Sequence, residues 1–352
     1  MKPFLAKRNR MEDTKTKILV TGGAGYIGGH TVLALLDRGF DPIILDDLSA
    51  GVDLLVPKNV RLVIGDIGDQ KLVAEIVKGN GISTVLHFAG KVDVAESLVD
   101  PLKYYLHNTT KAQLLIQTAI DNGVSNFIFS STAAVYGQSE LPLVDEAAAL
   151  APISSYGRSK LMTEDIIRDT HAAHGLNYAI LRYFNVAGAD PKMRYGQITR
   201  NAKHLIGTGL ATALGKRKFI EIYGDNYPTR DGTCIRDFVH VSDLADAHMI
   251  ALNHLRSTRS SITLNCGYGR GYSVKEVLRA VEHVIGKRLE VRIADRRTGD
   301  PVSLVSDNRR LVALGWKPQF NDLATIVEHA YRWELTQANS ASPAGWLDGG
   351  CV

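Results

Sequence analysis

The chain has 352 residues, 45% hydrophobic and 22% charged, which is an ordinary balance for a folded globular protein and excludes disordered, collagen-like and coiled-coil classes. At ~150 residues per domain, this length predicts two domains or slightly more. The net charge of +4 comes from 41 basic and 37 acidic side chains, a balance too even to predict nucleic-acid binding.

The N-terminal residues and the cysteines give an expectation for the cellular compartment of the protein. Residues 1–16 are basic and polar without an apolar stretch, which predicts a flexible extension rather than a secretory signal. No apolar run approaches the ~18 residues of a membrane span, so no membrane association is predicted. Cys234, Cys266 and Cys351 are widely separated, so we expect no metal site and a reducing, cytoplasmic environment.

Short apolar runs alternate with helix-length segments through the first half of the chain. The runs end in polar or glycine turns and lie at 18–20, 42–45, 61–64, 84–88, 126–129 and 178–181. Helical patterns lie between them at 26–36, 71–78, 102–122 and 155–174. Apolar runs of this kind are typical of strands that are buried on both faces. The alternation predicts an α/β fold with a doubly wound, parallel Rossmann sheet.

After Asn185 the pattern becomes less regular and richer in turn residues. We therefore predict a Rossmann domain at 17–186 and a smaller mixed α/β domain at 187–335. Residues 233–265 return to a strand-then-helix pattern and are expected to rejoin the first domain in part. The Ser-, Ala-, Gly- and Asn-rich residues 336–352 predict a flexible tail.

A glycine-rich turn follows the first predicted strand and opens the first helix. Gly22 permits the tight turn, Gly25 permits close approach of a pyrophosphate, and Gly28 permits close packing of helix on strand. The helix N-terminus then faces the phosphates with free N–H groups. Asp46 closes the second strand, where an acid accepts hydrogen bonds from an adenosine ribose and repels a 2′-phosphate. NAD is therefore favoured over NADP, and Asp66 and Ile67 are expected to flank the adenine.

The second chemical pattern is YxxxK, formed by Tyr156 and Lys160 on one face of a helix. A phenol ionises near ~10, and we expect the lysine charge one turn away to lower that pKa and favour the phenolate. Thr132 lies just beyond the strand at 126–129, where its hydroxyl can bridge a substrate oxygen and the phenol. Asn108, on the preceding helix, is expected to support Lys160 through its backbone or a water molecule.

Together these motifs resemble the short-chain dehydrogenase/reductase superfamily, and longer stretches resemble its extended UDP-galactose (UDP-glucose) 4-epimerase family. The matching stretches are VTGGAGYIG at 20–28, HFAG at 87–90, ES at 96–97, PLKYY at 101–105, FIFSSTAAVYG at 127–137, SSYGRSKLMTE at 154–164, LRYFNVAGA at 181–189, YGDNYPTRDGT at 223–233 and RDFVHVSDLADAH at 236–248. The resemblance runs from about Lys17 to about Leu335.

The resemblance implies a reaction and a set of contacts. The Tyr156 phenolate takes the proton of the sugar 4-hydroxyl, C4 gives a hydride to NAD, and the 4-keto sugar rotates before the hydride returns to its other face. Catalysis falls to Tyr156, Lys160 and Thr132. Cofactor contacts fall to Gly22, Gly25, Tyr26, Ile27, Gly28, Asp46, Asp47, Asp66, Ile67, Phe88, Ala89, Gly90, Asn108, Tyr156, Lys160 and Tyr183.

The implied substrate contacts lie in the second half of the chain. They are Thr132, Tyr156, Phe184, Asn185, Leu205, Tyr223, Arg236, Arg297, Asp300 and Leu304. In the family pattern, Arg236 and Arg297 clamp the diphosphate of the UDP-sugar, as guanidinium groups suit. Asp300 contacts the uridine ribose, Tyr223 lines the uracil pocket, and Asn185 contacts the UDP part.

Three positions depart from the family pattern. Relatives often carry a lysine at the position of Val92, whereas here Lys91 stands beside the glycine, which puts one cofactor contact in doubt. The Asn-Asn-Leu stretch of relatives is matched only by Lys203-His204-Leu205, so its side-chain roles do not carry over. At the size gate for acetylated sugars stands Leu304, which is smaller than the excluding tyrosine and predicts some tolerance of UDP-N-acetyl sugars.

Other functions are weighed against the same residues. Ala133 and Ala134 follow Thr132 where dehydratases of this superfamily carry an Asp-Glu pair, which disfavours dehydration. Epimerisation of UDP-xylose and UDP-arabinose, or of UDP-N-acetylhexosamines, uses the same apparatus and remains the alternative. A more distant alternative is a non-catalytic Rossmann protein that senses dinucleotides.

The resemblance also implies a homodimer with a four-helix interface, built from the helices at 102–122 and 155–174. The apolar side chains that suit this role are Leu114, Leu115, Leu161 and Ile166. They suit packing against the chain's own sheet equally well. The sequence does not separate a role in galactose catabolism from one in polysaccharide synthesis.

Overall fold

A computed structural model describes residues 15–198, 204–297 and 299–340 of the chain. Its strands are β1 (Lys17–Thr21), β2 (Asp41–Asp46), β3 (Arg61–Ile64), β4 (Thr84–His87), β5 (Asn126–Thr132), β6 (Asn177–Tyr183), β7 (Asn185–Ala187), β8 (Ile220–Tyr223), β9 (Ile235–His240), β10 (Ile262–Cys266), β11 (Gly271–Ser273), β12 (Val291–Ala294) and β13 (Ser303–Leu304). Its α-helices are α1 (Tyr26–Asp37), α2 (Gln70–Asn80), α3 (Val94–Val99), α4 (Pro101–Tyr104), α5 (Lys111–Asp121), α6 (Ser155–His174), α7 (Leu205–Ala213), α8 (Val241–Thr258), α9 (Val274–Ile285), α10 (Arg309–Ala313) and α11 (Leu323–Ser340).

Seven of these strands form a parallel sheet in the order β10-β6-β5-β4-β1-β2-β3. The chain reverses its direction of winding between β1 and β4, and the carboxyl ends of these strands border a crevice in which doubly wound sheets bind ligands. The predicted doubly wound α/β fold is therefore confirmed. The glycine turn, Asp46 and Gly90 all lie beside this crevice because each directly follows one of the strands around it.

The sheet is covered on both faces, which is why its strands are apolar throughout. Helices α1 and α8 share one buried cluster with the sheet, around Val32, Leu35 and Leu252. Helices α2, α5 and α6 share the other, which includes Leu115 and Ile167. Strand β10 joins the sheet beside β6 and α8 packs on α1, so residues 241–266 lie with the first half of the chain.

The remaining elements build a second, smaller core. Strand β9 pairs with β7, β11 and β13, while β8 and β12 form a separate parallel pair. Helices α7, α9 and α11 pack around apolar side chains that include Leu210, Val281 and Val327. No helix in the described part of the chain is long and apolar enough to cross a membrane.

Two elements differ from the sequence predictions. The helix expected at 102–122 is interrupted by a π-helical turn at Tyr105–Thr110, which turns Asn108 inward to hydrogen-bond the peptide of Lys91. Helix α11 continues to Ser340, into the segment predicted as a flexible tail, because the indole of Trp333 is buried and donates to Gln197 O at 3.0 Å. Residues 1–14, 341–352 and Lys203 lie outside the described residues.

Candidate active site

The glycine turn between β1 and α1 leaves room that side chains would fill. Gly22 has a φ of +71°, and a Cβ there would lie 2.5 Å from the backbone nitrogen of Ala89. A Cβ on Gly28 would lie 2.2 Å from the carbonyl oxygen of Gly22. Gly25 is the N-cap of α1 and supplies no side-chain cap. The N–H groups of the first turn of the helix therefore face the crevice, as binding of a diphosphate requires.

An open cleft of ≈ 600 Å³ lies beside this turn. The predicted cofactor residues that line it are Gly22, Gly25, Asp46, Asp47, Asp66, Ile67, Phe88, Ala89 and Gly90. Asp46 lies at the end of β2, where its carboxylate accepts hydrogen bonds from Ala24 N at 3.0 Å and Leu48 N at 2.9 Å. Burial raises the pKa of Asp46. The glycine cradle, the uncapped helix end and this anchored acid fit an adenine dinucleotide.

Other predicted cofactor residues support the cleft without lining it. The Tyr26 hydroxyl donates to Gly188 O at 2.7 Å, and Ile27 packs into the core below the sheet. Tyr183 is buried, with its phenol in contact with His248 Nε2. Burial raises the pKa of Tyr183, so this phenol is neutral.

At the position that departs from the family pattern, Lys91 and not Val92 has its side chain in the cleft. Val92 is 60% exposed, whereas Lys91 lines the cleft and its Nζ donates to Ser49 Oγ at 3.0 Å. Asn108 holds this segment: its Oδ1 accepts from Lys91 N at 2.8 Å and its Nδ2 donates to Lys91 O at 3.0 Å. The backbone oxygen of Asn108 accepts from Thr163 Oγ1, and the expected support of Lys160 through that backbone or a water molecule stays a prediction.

Tyr156 and Thr132 meet at the carboxyl end of β5. Thr132 is the last residue of the strand, and its Oγ1 accepts from Ala134 N at 3.1 Å. Tyr156 stands in the first turn of α6, which Ser154 caps by accepting from Gly157 N at 3.1 Å. The Thr132 side chain faces the Tyr156 phenol and lowers its pKa. The strand end and the first turn of α6 thus bring the predicted hydroxyl and phenol to the same place.

Lys160 lies one turn further along α6 and is almost fully buried. Its Nζ donates to Ser130 O at 2.8 Å and lies over the Phe129 ring, 4.8 Å from the centroid. Burial lowers the pKa of Lys160 to about 8, and the charge of Glu164 opposes that shift.

The expected electrostatic effect of Lys160 on Tyr156 is wrong. Burial raises the pKa of the Tyr156 phenol, and the neighbouring Thr132 side chain partly lowers it. The ammonium group of Lys160 is directed at the Ser130 carbonyl. Thr132 is thus the group that favours the Tyr156 phenolate in this structure.

The predicted substrate residues form a second polar group on the smaller part of the fold. Arg236 Nη2 donates to Asp300 Oδ1 at 2.7 Å. The Arg297 guanidinium lies over the Tyr223 ring, 3.5 Å from its centroid. Burial raises the pKa of the Cys234 thiol, while the charges of Arg236 and Arg297 lower it. The role of these arginines as a diphosphate clamp stays a prediction.

Strand β13 connects this group to the catalytic residues. Leu304 pairs in register with Arg236 and is buried in a small apolar cluster with Ala133 and Phe184. Ala133 directly follows Thr132. Leu304 therefore lies between the catalytic strand end and Arg236. Asn185 is exposed at the start of β7, and Leu205 begins α7.

Several residues of the site were not predicted. Ser49, His107 and Lys111 line the cleft, and Lys111 forms an ion pair with Asp66. Their signal in the sequence is weak, because a lysine or serine in a loop is usually solvated. Only the turn-rich sequence after Asp47 indicated that this loop lies at a strand end. The buried pair of Glu164 and Arg182 was also missed, although Glu164 lies within the stretch that carries the resemblance.

The fold and these two groups of residues define a dinucleotide-dependent enzyme of the Rossmann class, with a YxxxK pair at its centre. Comparison with known proteins agrees. The chain matches the NAD dependent epimerase/dehydratase family over residues 18–267. It is 49% identical over 330 residues to the UDP-glucose 4-epimerase of Azospirillum brasilense, spanning 94% of this chain and 95% of that protein.

Solved structures give the same result. The UDP-glucose-4-epimerase of Stenotrophomonas maltophila, which holds NAD and formylated UDP-arabinopyranose, superposes with a TM-score of 0.89 at 36% identity, over 93% of this chain and 100% of that one. The UDP-Glc/GlcNAc 4-epimerase of Campylobacter jejuni gives 0.79 at 43% identity, over 91% and 99%. The chain belongs to the NAD-dependent epimerase/dehydratase family, and the resemblance seen in its sequence is confirmed.

Proposed function

We propose that the protein interconverts UDP-galactose and UDP-glucose by inverting C4 of the sugar with NAD retained in the site. The observation that carries this proposal is that Thr132, at the carboxyl end of β5, faces the Tyr156 phenol on α6, with the Lys160 ammonium one turn further along that helix. The similarity to UDP-glucose 4-epimerases over 94% of the chain supports it. NAD, when bound, supplies the acceptor and donor of the hydride.

The residues of the chain handle the proton and hold the sugar. Tyr156 takes the proton of the 4-hydroxyl and returns it when C4 is reduced, as a positioned acid–base group does. Thr132 bonds the phenol and offers its hydroxyl to the sugar oxygen. Lys160, fixed by the Ser130 carbonyl, supplies a positive charge on the same helix face. Because burial raises the pKa of Tyr156, Thr132 is the side chain that favours the phenolate.

The UDP part is assigned to the second polar group. Arg236 and Arg297 suit the diphosphate, since guanidinium groups form paired, charge-assisted hydrogen bonds to phosphate oxygens. Asp300 and Tyr223 suit the uridine, and Phe184 and Asn185 adjoin the catalytic strand. Holding the sugar by its nucleotide leaves the hexose ring free to turn over, so that either face of C4 meets the same hydride donor.

The direct test mixes purified protein with UDP-galactose, without added NAD, and follows UDP-glucose. We expect UDP-glucose to appear, because NAD regenerated in every turnover needs no replacement. Absence of product, even after NAD is added, would contradict the proposal. UDP-xylose and UDP-N-acetylglucosamine would then separate the pentose and acetylated alternatives from a binding protein that turns over none of them.

Tolerance of acetylated sugars is a second proposal, which rests on Leu304. This side chain is buried beside Ala133 and Phe184, and a tyrosine there would take up space next to the catalytic hydroxyl. We expect Leu304→Tyr to lose activity on UDP-N-acetylglucosamine while keeping it on UDP-glucose. Leu304→Met, which conserves volume, serves as the control. Equal rates of Leu304→Tyr on both substrates would count against this assignment.

A homodimer is proposed on the basis of exposed apolar side chains near α4 and α6. Val99 is 86% exposed, Leu102 76% and Leu106 49%, and Met162 on α6 is 44% exposed. Leu115 and Ile166, which sequence reasoning offered for this interface, pack instead against the sheet. We expect Leu102→Glu to halve the mass measured by light scattering, whereas the exposed Leu54→Glu should leave it unchanged. A wild-type monomer would contradict the proposal.

A cytoplasmic location fits the thiols that the structure describes. Cys234 and Cys266 are both free and buried, as expected in a reducing compartment.

A further inference from the structure

A buried carboxylate lies behind the catalytic residues and has no part in the chemistry above. Glu164 stands on α6, one turn after Lys160, and its side chain is 0% exposed; that of its partner Arg182 is 1% exposed. Arg182 Nη2 donates to Glu164 Oε2 at 2.7 Å, and Arg182 Nε donates to Oε1 at 3.0 Å. Two parallel hydrogen bonds of this kind fix the orientation of both groups.

The same carboxylate holds the strand segment that ends in Thr132. Ser131 Oγ donates to Glu164 Oε1 at 2.5 Å. The neighbouring Ser130 accepts from Lys160 Nζ through its carbonyl. Glu164 and Lys160 thus fasten consecutive residues of β5 to α6, and the next residue of that strand is the partner of the Tyr156 phenol.

The ion pair also connects α6 to the rest of the sheet. Arg182 lies on β6, and its Nη1 donates to the Tyr136 hydroxyl at 2.9 Å. That hydroxyl donates to Asn265 Oδ1, on β10, at 2.6 Å. A buried ion pair is a weak source of stability because desolvation offsets its attraction. Its evident effect here is geometric, since it joins one helix and three strands at a single point.

The charges around Lys160 give Glu164 a second effect. On its own helix Lys160 has Tyr156 and Glu164, and across from it on β4 lies His87. Burial lowers the pKa of His87 to about 3, so this ring is neutral. Glu164 is therefore the anion that acts on Lys160, and it opposes the effect of burial on that ammonium group. Besides Arg182, Glu164 accepts from Arg168 Nη2 on the same helix at 2.6 Å.

We propose that Glu164 is a positioning residue for the epimerisation, holding Thr132 and Lys160 against Tyr156 through Ser131 and Arg182 and supplying the negative charge that faces Lys160. The inference rests on the proposed function, so turnover of UDP-galactose by the wild-type protein is measured first. Absence of that turnover refutes the epimerase function itself, whereas the variants below test only Glu164.

The test compares pH–rate profiles of Glu164→Gln, Glu164→Asp and Asp165→Asn. In Glu164→Gln we expect kcat to fall roughly tenfold or more, as a small misplacement of catalytic groups does, with KM little changed. The basic limb of its profile should move to lower pH by at least about half a unit, because removing the anion beside Lys160 lowers the pKa of that ammonium group. Glu164→Asp keeps the charge on a shorter side chain. It should therefore have the wild-type pH profile but a kcat below that of the wild type.

Asp165→Asn is the matched control, since Asp165 is the next carboxylate on α6 and its side chain is 62% exposed. It should keep both the rate and the pH profile of the wild type. A folded, NAD-containing Glu164→Gln with wild-type kcat and profile would overturn the proposal, as would equal effects in Asp165→Asn. If Glu164→Gln does not fold, Ser131→Ala decides: a lowered kcat with an unmoved profile supports the proposal, and a wild-type kcat overturns it.

Discussion

In the proposed reaction, proton transfer depends on a single phenol, Tyr156, whose burial opposes its ionisation. Replacing Tyr156 by Phe removes that group while keeping the ring, so kcat should fall about 10²- to 10⁴-fold, the usual contribution of a positioned acid–base group. The amount of bound NAD should stay the same. Tyr178→Phe is the control, since it removes the same hydroxyl from a tyrosine that packs against His171. It should keep the wild-type kcat. If kcat of Tyr156→Phe stays within about tenfold of the wild-type value, another group transfers the proton.

How far residues can be read from sequence depends on whether their role is local. Gly22, Gly28 and Asp46 follow directly from their positions around one strand end and one turn. The effect of Lys160 on Tyr156 cannot be predicted in this way. The burial of Lys160 and the direction of its ammonium group depend on β5, which is a separate part of the chain. Glu164 and Arg182 lie on different elements, and nothing in either local sequence indicates that they meet.

At the scale of elements, the glycine turn makes the sharpest prediction. A Cβ at Gly28 would overlap the Gly22 carbonyl, so Gly28→Ala must displace α1 from β1, at a cost of about 1–3 kcal/mol. We expect a lower melting temperature and loss of co-purifying NAD.

Gly79→Ala is the control for that variant. Gly79 lies near the end of α2, and a Cβ there meets no atom within 4 Å. It should be neutral or gain about 0.5–1 kcal/mol of unfolding free energy. Gly28→Ala with wild-type stability and NAD content would contradict the packing described for the turn.

The bounds of a helix could be predicted from the sequence where one hydrophobic periodicity extends over its whole length. Helix α6 has its predicted bounds, 155–174, because a serine cap and a terminal glycine enclose one continuous pattern. The helix expected at 102–122 breaks into three pieces, since the inward turn of Asn108 serves a contact with Lys91 that is distant in sequence. Helix α11 exceeds its predicted end because Trp333 is anchored by residues far upstream.

For the whole molecule, buried histidines predict how stability depends on pH. His30, His87, His240 and His248 are all buried, and burial lowers their pKa values to about 4, 3, 3 and 4. The unfolded chain, with histidines near ~6.5, binds more protons below that pH, so stability is present above ~6.5 and is lost as pH falls towards 3–4.

Between pH 7.5 and 5.5 the unfolding free energy should therefore drop by up to about 5 kcal/mol. Denaturant titration at the two pH values measures it. His30→Gln should reduce the drop, whereas His283→Gln, which is exposed, should not. Equal midpoints at both pH values in the wild type would contradict the burial of these rings.

In the proposed reaction, the hydrogen removed from C4 is the one returned to it. To test this, the protein is incubated with UDP-galactose carrying deuterium at C4, in ordinary water without added NAD, and the product is examined by NMR and mass spectrometry. We expect UDP-glucose that keeps its deuterium at C4. UDP-glucose that has lost the label to water would contradict the proposed mechanism, because C4 would then be inverted by proton exchange instead.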